Sequence, residues 1–284
     1  MHVESFYHQD SSTWSHVVVD ENTKKCAIID PVLDYDQDAA RYSTESADQV
    51  LKYIQDYDLI VEHLLETHIH ADHLSASHYL KQHLAAKTGI GSGILKVLGH
   101  WVPVFETSQD TATDGSQFDQ IFAEGDTFSI GELTGRVIHT PGHTPACVSY
   151  HIESAVFVGD TLFAPDGGSA RVDFPGGSAE QMYHSIQKLY ALPDETIMYL
   201  CHDYPAEGQS PRNSFTVAEQ KQHNKMIKAD TTLAEYIELR QKRDACLAVP
   251  RLILPSIQTN MRLGAFGSVS DQGTQFIKIP INKL

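Results

Sequence analysis

Short apolar runs separated by polar turns recur along the chain, and this pattern is typical of buried β-strands. Residues 17–19 and 26–29 flank a polar turn and predict an antiparallel hairpin. Residues 146–152 and 155–158 predict a second pair of strands further along the chain. We therefore expect β-structure to begin near the N-terminus and to continue past the middle of the chain.

Helical spacing, with apolar residues three or four positions apart, occupies segments between the predicted strands. It is found in residues 46–58 and 178–192, and residues 74–86 are expected to form a further helix. Residues 233–245 predict an exposed amphipathic helix, which either caps a substrate pocket or supports a homodimer. Strands interleaved with helices predict an α/β protein.

Two stretches give no clear pattern. Residues 87–93 contain three glycines, and we interpret them as a flexible turn. A phosphate-binding loop is not supported there, because no Gly-Lys-Ser or Gly-Lys-Thr sequence follows. Residues 95–115 contain apolar residues followed by a polar patch, and a cover over a functional site is one interpretation that the sequence leaves open.

The composition argues against several classes of partner. With 284 residues, 41% of them apolar, the chain is long enough for a sizeable core. Its formal net charge of −16 argues against nucleic acid or an anionic membrane as the main partner, since both require a positive field. No apolar stretch approaches the roughly 20 residues of a membrane span, and no secretory signal is expected. The four cysteines are widely spaced, which favours a reduced, cytoplasmic setting.

The densest group of reactive side chains follows an apolar run at residues 60–65. His68, His70, Asp72 and His73 lie within six residues there. The run predicts a buried strand, and residues just past a strand end lie on a loop held by a rigid sheet. Neutral imidazole is the commonest protein ligand for transition metals, and carboxylate is a natural companion. A lone histidine would be interpreted as a surface residue, but this group predicts a metal site.

Three further predicted strands end in a residue of the metal-binding type. His143 lies in a Pro/Gly turn after one strand, and Asp160 and His202 each follow an apolar run. One such residue could arise by chance, but four strand ends predict a single convergent site. Asp30, at the end of the first hairpin, is either a turn carboxylate or a partner for the metal histidines, and we favour the structural role.

The order of these motifs, H-x-H-x-D-H, P-G-H-T, G-D-T and H-D-Y, resembles the metallo-β-lactamase superfamily. The resemblance covers about residues 10–205. It implies an αβ/βα fold, which is a four-layer sandwich of two mixed β-sheets flanked by helices. We expect one domain over residues 1–284, with residues 205–284 as a helical C-terminal extension packed on it.

Two further segments narrow the resemblance. Residues 170–174 and 254–262 look like the persulfide dioxygenases of the glyoxalase II-like branch, especially the bacterial form. This resemblance implies an enzyme of sulfide detoxification that oxidises glutathione persulfide, or a similar low-molecular-weight persulfide, to sulfite and thiol. The segment between Asp160 and Arg171 is longer than in the animal and plant dioxygenases, so the pocket and the accepted thiol are expected to differ.

The same residues allow two chemistries. In the dioxygenase, a facial triad of two histidines and one carboxylate would hold one Fe(II) per chain, namely His68, His143 and Asp160. The other candidates would orient those ligands and bound water; they are His70, Asp72, His73 and His202. In a glyoxalase II-type hydrolase, two Zn(II) per chain would acidify a water that cleaves a glutathione thioester. One zinc would then be held by His68, His70 and His143 and the other by Asp72, His73 and His202, with Asp160 bridging.

The resemblance favours the dioxygenase over the hydrolase. A non-enzyme alternative, a metal-dependent sensor or a degenerate binding module, predicts lost ligands, and none is missing from the sequence. The expected partners are therefore a small-molecule thiol or persulfide and O2. Asp72 is expected to take part in catalysis.

Other residues are candidates for contact with the substrate. Glutathione carries two carboxylates, which guanidinium groups bind with paired hydrogen bonds. Arg171 is the first candidate for substrate binding and catalysis, although an ion pair with Asp173 is an equal alternative. Arg262 and Asn260 either line the site or fix the C-terminal tail. Tyr204 is expected to donate its hydroxyl to substrate or O2, with a packing role as the alternative.

Two cysteines lie close in sequence to predicted metal ligands. Cys147 follows His143, and Cys201 precedes His202. A sulfur ligand is one interpretation of each. Both cysteines lie in apolar strands, where cysteine usually behaves as a small core residue, so we favour the core role.

Overall fold

The computed structural model describes residues 1–283 and contains two six-stranded sheets and a smaller three-stranded one. The strands, in chain order, are β1 (His2–His8), β2 (Thr13–Asp20), β3 (Lys25–Ile29), β4 (Val32–Asp36), β5 (Arg41–Ser43), β6 (Ile60–Leu65), β7 (Leu74–Ser75), β8 (Lys87–Gly91), β9 (Gln120–Phe122), β10 (Thr127–Ile130), β11 (Leu133–His139), β12 (Val148–Ile152), β13 (Ala155–Phe157), β14 (Ile197–Tyr199) and β15 (Ser214–Thr216). The helices are α1 (Glu45–Asp56), α2 (Ser77–His83), α3 (Ile94–Phe105), α4 (Ala179–Tyr190), α5 (Val217–His223), α6 (Leu233–Asp244) and α7 (Ile253–Asn260). A short 3-10 helix, Gly159–Thr161, follows β13.

Both large sheets are mixed. The first has the strand order β1-β2-β3-β6-β8-β9, in which β1, β2 and β3 are antiparallel and the remaining pairs are parallel. The second has the order β10-β11-β12-β13-β14-β15, in which β13 and β14 run parallel. β6 has a hydrogen-bonded neighbour on each side, and its residues Leu64 and Leu65 are fully buried in the apolar clusters that cover the two faces of the sheet. The loop that follows β6 therefore starts from a rigid point.

The two sheets pack face to face, and helices cover their outer faces. Val18 and Leu65 of the first sheet meet Phe128 and Tyr150 of the second in one apolar cluster. Apolar residues of α1 and α2 pack against the outer face of the first sheet, and those of α4 and α6 pack against the second. The predicted four-layer sandwich of two mixed sheets is thus confirmed.

The prediction of a flexible turn at residues 87–93 is wrong, because β8 lies between β6 and β9 within the first sheet. Its glycines allow close packing. A Cβ on Gly89 would lie 2.6 Å from the ring of Phe122, and one on Gly91 would lie 2.3 Å from Cγ1 of Val148. A strand with glycines facing its neighbours has no apolar alternation, so the sequence pattern could not reveal it.

Two predicted segments differ from the structure in extent or role. The helix expected at residues 74–86 is α2, which begins only at Ser77, because Leu74 and Ser75 pair with β4. Residues 95–115 contain most of α3. Its buried side chains pack against Ile69 and Ala71 from behind, so α3 supports the loop after β6 and does not line the main cavity.

The C-terminal extension is not only helical, since β15 adds an edge strand to the second sheet. The predicted helix at residues 233–245 is present as α6, but it is not simply an exposed helix. Its side chains Tyr236, Arg240 and Asp244 are buried. Among residues 1–283, no helix combines the length and hydrophobicity that a membrane span requires.

Gly93→Ala is expected to lower the free energy of unfolding by about 1–3 kcal/mol, whereas Gly99→Ala should raise it by about 0.5–1 kcal/mol. A Cβ on Gly93 would lie 1.9 Å from the carbonyl oxygen of Pro145, in the turn after His143. A Cβ on Gly99, inside α3, would meet nothing within 4 Å. Urea-induced unfolding measures both changes. Equal destabilisation of the two variants would contradict the close approach of α3 to that turn.

Candidate metal centre

The loop of residues 67–73, here called the metal loop, is fixed at its start by Asp30. The Asp30 carboxylate accepts hydrogen bonds from the backbone N–H of Thr67 at 2.7 Å and from its hydroxyl at 2.8 Å. It also lies 3.1 Å from Nε2 of His70, which donates to it. Asp30 therefore has the structural role that the sequence favoured and also contacts a metal-type histidine.

His68, His143 and Asp160 converge from three separate strand ends. Their metal-binding atoms lie within 4.8 Å of one another, and all three residues are buried. Nε2 of His68 is 3.9 Å and Nε2 of His143 is 3.7 Å from Oδ2 of Asp160. One ion with bonds of about 2.1 Å joins atoms up to about 4.2 Å apart, so a single ion could bind all three.

Hydrogen bonds on the far side of each ring fix these two imidazoles. Nδ1 of His143 donates to the carbonyl oxygen of Arg171 at 2.7 Å. Nδ1 of His68 lies 3.0 Å from the Thr67 hydroxyl, which uses its own proton on Asp30 and therefore accepts. With Nδ1 protonated in both rings, the Nε2 lone pairs face the cluster, as metal binding requires.

A second group of metal-binding atoms adjoins the first. His70, His73, Cys201 and His202 place theirs within 4.8 Å of one another. Nε2 of His202 is 3.4 Å from Oδ1 of Asp160. It is also 3.3 Å from Oδ2 of Asp72. Asp160 thus contacts both groups.

The donor atoms at this point fit a bound cation. Within residues 1–283, several buried polar atoms that face the two groups have no hydrogen-bond partner: His68 Nε2, His70 Nδ1, His73 Nε2, His202 Nε2 and Asp160 Oδ1. A buried polar atom without a partner typically costs about 1–3 kcal/mol, so five of them together need compensation. Metal ions at these groups would supply it, because a carboxylate oxygen and the unprotonated nitrogen of a neutral imidazole each present a lone pair. The chain therefore has a metal-binding centre of histidine and aspartate ligands.

The electrostatics favour the neutral, metal-binding form of two of the rings. Burial, together with the neighbouring imidazoles, lowers the pKa of His68 and of His73 well below the ordinary value. Burial alone would also lower the pKa of His70, but the Asp30 carboxylate outweighs it and raises that pKa well above the ordinary value. Loading the centre with a cation would oppose protonation of His70 as well.

The two cysteines differ in their surroundings. Sγ of Cys147 accepts a hydrogen bond from the backbone N–H of Thr144 at 3.3 Å, and burial raises the pKa of its thiol to about 12. The favoured core role thus suits Cys147. Cys201 is also buried, but its sulfur belongs to the second group of metal-binding atoms. Burial raises the pKa of the Cys201 thiol too, so the neutral thiol is the favoured form.

A cavity of about 530 Å³ opens above the metal centre. Asp72, His143 and Asp160 line its inner part, and Ser169 and its neighbours in the segment after Asp160 form one wall. The unusual length of that segment was expected to reshape the pocket, and the segment does line it. Several basic side chains that also line this cavity were not predicted from the sequence: Arg212, Lys225, Arg240 and Arg243. The available signal in the sequence was that these basic residues occur in a strongly acidic chain.

Arg171 and Tyr204 line the cavity as expected, but the alternatives named for them also apply. The guanidinium of Arg171 donates to both carboxylate oxygens of Asp173, at 2.6 and 2.7 Å, and to the carbonyl oxygen of Ala248. The Tyr204 ring stacks nearly parallel to that of His202 at 5.9 Å. Arg171 is therefore held by its ion pair, and Tyr204 is packed against a metal-type histidine.

The substrate-binding role predicted for Asn260 and Arg262 finds no support, since neither lines the cavity. The side-chain amide of Asn260 binds the metal loop, with hydrogen bonds to the carbonyl oxygens of His70 and His73. The Arg262 guanidinium donates to the carbonyl oxygen of Ala265 and to a threonine hydroxyl. The named alternative, fixing the C-terminal tail, describes Arg262.

Comparisons with known proteins agree with this geometry. The family model of the metallo-β-lactamase superfamily matches residues 9–202. A Dictyostelium discoideum protein named glyoxylase B2 is 49% identical, over 99% of this chain and 97% of its own. The mitochondrial persulfide dioxygenase ETHE1 of Bos taurus is 28% identical, over 92% of this chain and 88% of its own. The crystal structure of ETHE1 from Myxococcus xanthus is 30% identical with a TM-score of 0.74, covering 93% of this chain and 100% of that one.

His143→Ala is expected to abolish metal retention, because it removes one of three atoms that a single ion can join. Metal content after gel filtration, measured by mass spectrometry, checks this. His184→Ala, on the exposed side of α4, is the control and should keep the metal content of the parent. Full metal content in the His143 variant would mean that the ion binds elsewhere.

Proposed function

The chain belongs to the metallo-β-lactamase superfamily, and from this premise we propose that it is an iron-dependent dioxygenase of low-molecular-weight persulfides. Its similarity to proteins of the glyoxalase and persulfide dioxygenase type indicates a metal-binding, glutathione-related enzyme. The proposed substrate is glutathione persulfide or a close analogue. The products are sulfite and the thiol, as in sulfide detoxification.

One observation carries the proposal of a single bound ion. His68, His143 and Asp160 form a group of two imidazoles and one carboxylate whose donor atoms one ion can join. Two histidines and one carboxylate on one face of an ion, with the other positions open, are typical of non-haem Fe(II) oxygenases. Two persulfide dioxygenases are among the relatives, which supports a dioxygenase.

The overall reaction balances with the persulfide, O2 and water as reactants. The outer persulfide sulfur loses four electrons, O2 gains them, and water supplies the third oxygen of sulfite while the inner sulfur leaves as thiol. Fe(II) bound at this centre would supply the one-electron chemistry that lets O2 react with a persulfide anion. Asp72 lines the cavity with 30% of its side chain exposed, so it is placed to accept a proton from the water that enters.

The charges around the cavity indicate where an anionic substrate binds. Five basic side chains line it, and three of them are already paired with carboxylates: Arg171 with Asp173, Arg212 with Asp166 and Asp203, and Arg240 with Asp244. Lys225 and Arg243 have no carboxylate within 4 Å among residues 1–283, and both are exposed. We therefore assign the two carboxylates of a glutathione-type substrate to Lys225 and Arg243.

A second candidate function is a glyoxalase II-type hydrolase. The observation that favours it is the position of Asp160, whose two oxygens face the His68 group and His202. A carboxylate between two sets of donors can bridge two ions, and a pair of zinc ions would supply an acidified water. Cleavage of a glutathione thioester would then use the same cationic rim.

Metal analysis combined with oxygen uptake separates the two functions. The protein, purified without added metal, is expected to contain one iron per chain and to consume one O2 for each sulfite formed from glutathione persulfide. An oxygen electrode and a sulfite assay measure this ratio. The control substrate is S-lactoylglutathione, a thioester that should remain intact. Two zinc ions per chain, with thioester cleavage and no oxygen uptake, would replace the dioxygenase by the hydrolase.

Lys225→Met and Arg243→Met are each expected to raise the KM for glutathione persulfide about tenfold, with a smaller effect on kcat. Each variant removes one charge-assisted hydrogen bond at the mouth of the cavity, worth about 1.5–3 kcal/mol when the partner is charged. Lys228→Met and Lys242→Met are matched controls, since both residues are exposed and neither lines the cavity. The same KM change with an uncharged alkyl persulfide would show that the two side chains do not bind carboxylates.

A further inference from the structure

The second half of the metal loop has to be positioned by something other than its own side chains. The loop contains no helix or strand between β6 and β7. Its donor side chains face the two metal-binding groups, and Nδ1 of His73 also donates to the carbonyl oxygen of Leu74 at 3.3 Å. Asp30 holds the start of the loop at Thr67. The backbone from His70 to Ser75 needs a separate support, since buried carbonyl and N–H groups require partners.

Asn260, the last residue of α7, provides that support. Its amide nitrogen donates to the carbonyl oxygen of His70 at 2.9 Å and to that of His73 at 2.8 Å. Its amide oxygen accepts from the backbone N–H of Ser75 at 2.8 Å. Only 3% of Asn260 is exposed. One side chain thus satisfies three backbone groups that bracket Ala71 and Asp72, and it uses both amide protons to do so.

Asn260 is itself held in place by the surrounding chain. Ile257 and Met261, on either side of it, belong to the same apolar cluster as Ile69 and Ala71 of the metal loop. The carbonyl oxygen of Met261 accepts a hydrogen bond from the side chain of Gln117 at 2.8 Å. The carbonyl oxygen of Leu263 accepts one from the backbone N–H of His78 at 2.7 Å. The amide is therefore rigidly placed against the loop.

We propose that Asn260 is a positioning residue of the metal centre, and that it sets metal affinity and not substrate affinity. By fixing the carbonyls of His70 and His73, it determines the direction in which the residues between and beside them face His202 and Asp160. This inference rests on the metal-binding part of the proposed function and holds for either metal chemistry. It also gives the C-terminal extension a function, since α7 carries the residue.

The expected loss of metal affinity follows from residues that hold metal ligands in place in other metal sites. Groups that hold metal ligands in place through hydrogen bonds typically contribute about 10–100-fold to metal affinity. Without the amide, the carbonyl oxygens of His70 and His73 lose the hydrogen bonds from Asn260, and the loop is expected to relax toward water or other partners. The donor atoms remain present but no longer converge.

The test is a metal titration of the full chain after removal of bound metal with a chelator. Cobalt(II) is the probe, because its visible spectrum reports ligand geometry as well as binding. Asn260→Ala is expected to raise the Kd for cobalt about 10–100-fold and to change the spectrum of the loaded protein. Asn260→Ser, which leaves room for a bridging water, should lie between Asn260→Ala and the parent.

Gln258→Ala is the matched control, because Gln258 lies on the same helix but its amide bonds the C-terminal tail at Lys278 and not the metal loop. It should keep the parent Kd and spectrum. Thermal unfolding of the metal-free proteins measures any general loss of stability. KM for the substrate, measured at saturating metal, should match the parent in all variants.

Two outcomes would overturn the proposal. One is a metal-free Asn260→Ala protein that is less stable but binds cobalt with the parent Kd and spectrum, which would leave Asn260 a merely structural residue. The other is an equal loss of cobalt affinity in Gln258→Ala. Neither outcome depends on oxygen or persulfide, so failure of this proposal and failure of the proposed dioxygenase remain distinguishable.

Discussion

This structure depends on one constraint, which is that several buried nitrogen and oxygen atoms direct their lone pairs toward one another. Nitrogen atoms of four histidines and an oxygen of Asp160 face two adjoining groups of metal-binding atoms without partners among residues 1–283. Folding brings them there from strands far apart in sequence. Burying these polar atoms without partners costs free energy that packing alone does not offset. A cation bound by His68, His143 and Asp160 would satisfy the first group, and a water or a second cation held by His70, His73 and His202 would satisfy the rest. The fold thus provides a rigid scaffold for one or two ions. Its sheets hold the loops that carry the metal-binding residues.

The frame works through rigid attachments at both ends of the metal loop. Asp30, in a left-handed backbone conformation at φ 50°, binds the start of the loop, and Asn260 binds its second half. Behind the loop, α3 and α7 form an apolar floor. In front of it the cavity is open and bears cations at its rim, although the whole chain is strongly negative. The rim thus offers an anion one favourable place on an otherwise unfavourable surface.

The convergence of His68, His143, Asp160 and His202 could be predicted from the sequence because each lies just past a predicted strand. Other features depend on partners that only folding brings together. Asn260 touches residues 187 and 190 positions away, and no local pattern reveals such a contact. Whether Lys225 can bind an anion depends on which basic side chains the nearby carboxylates already pair with. The strand β8 was missed because its glycines replace the side chains that produce a readable alternation.

The central claim is that one ion lies between His68, His143 and Asp160. X-ray absorption at the iron edge of the purified protein tests it most directly, since the spectrum counts the neighbours of the metal and their distances. The spectrum is expected to show nitrogen and oxygen neighbours at about 2.1 Å, two of them imidazoles, with no protein sulfur and no second metal. A sulfur neighbour at about 2.3 Å would place Cys201 among the ligands, and a metal–metal distance of about 3.5–4 Å would show a binuclear centre. Either result would contradict the single-ion account.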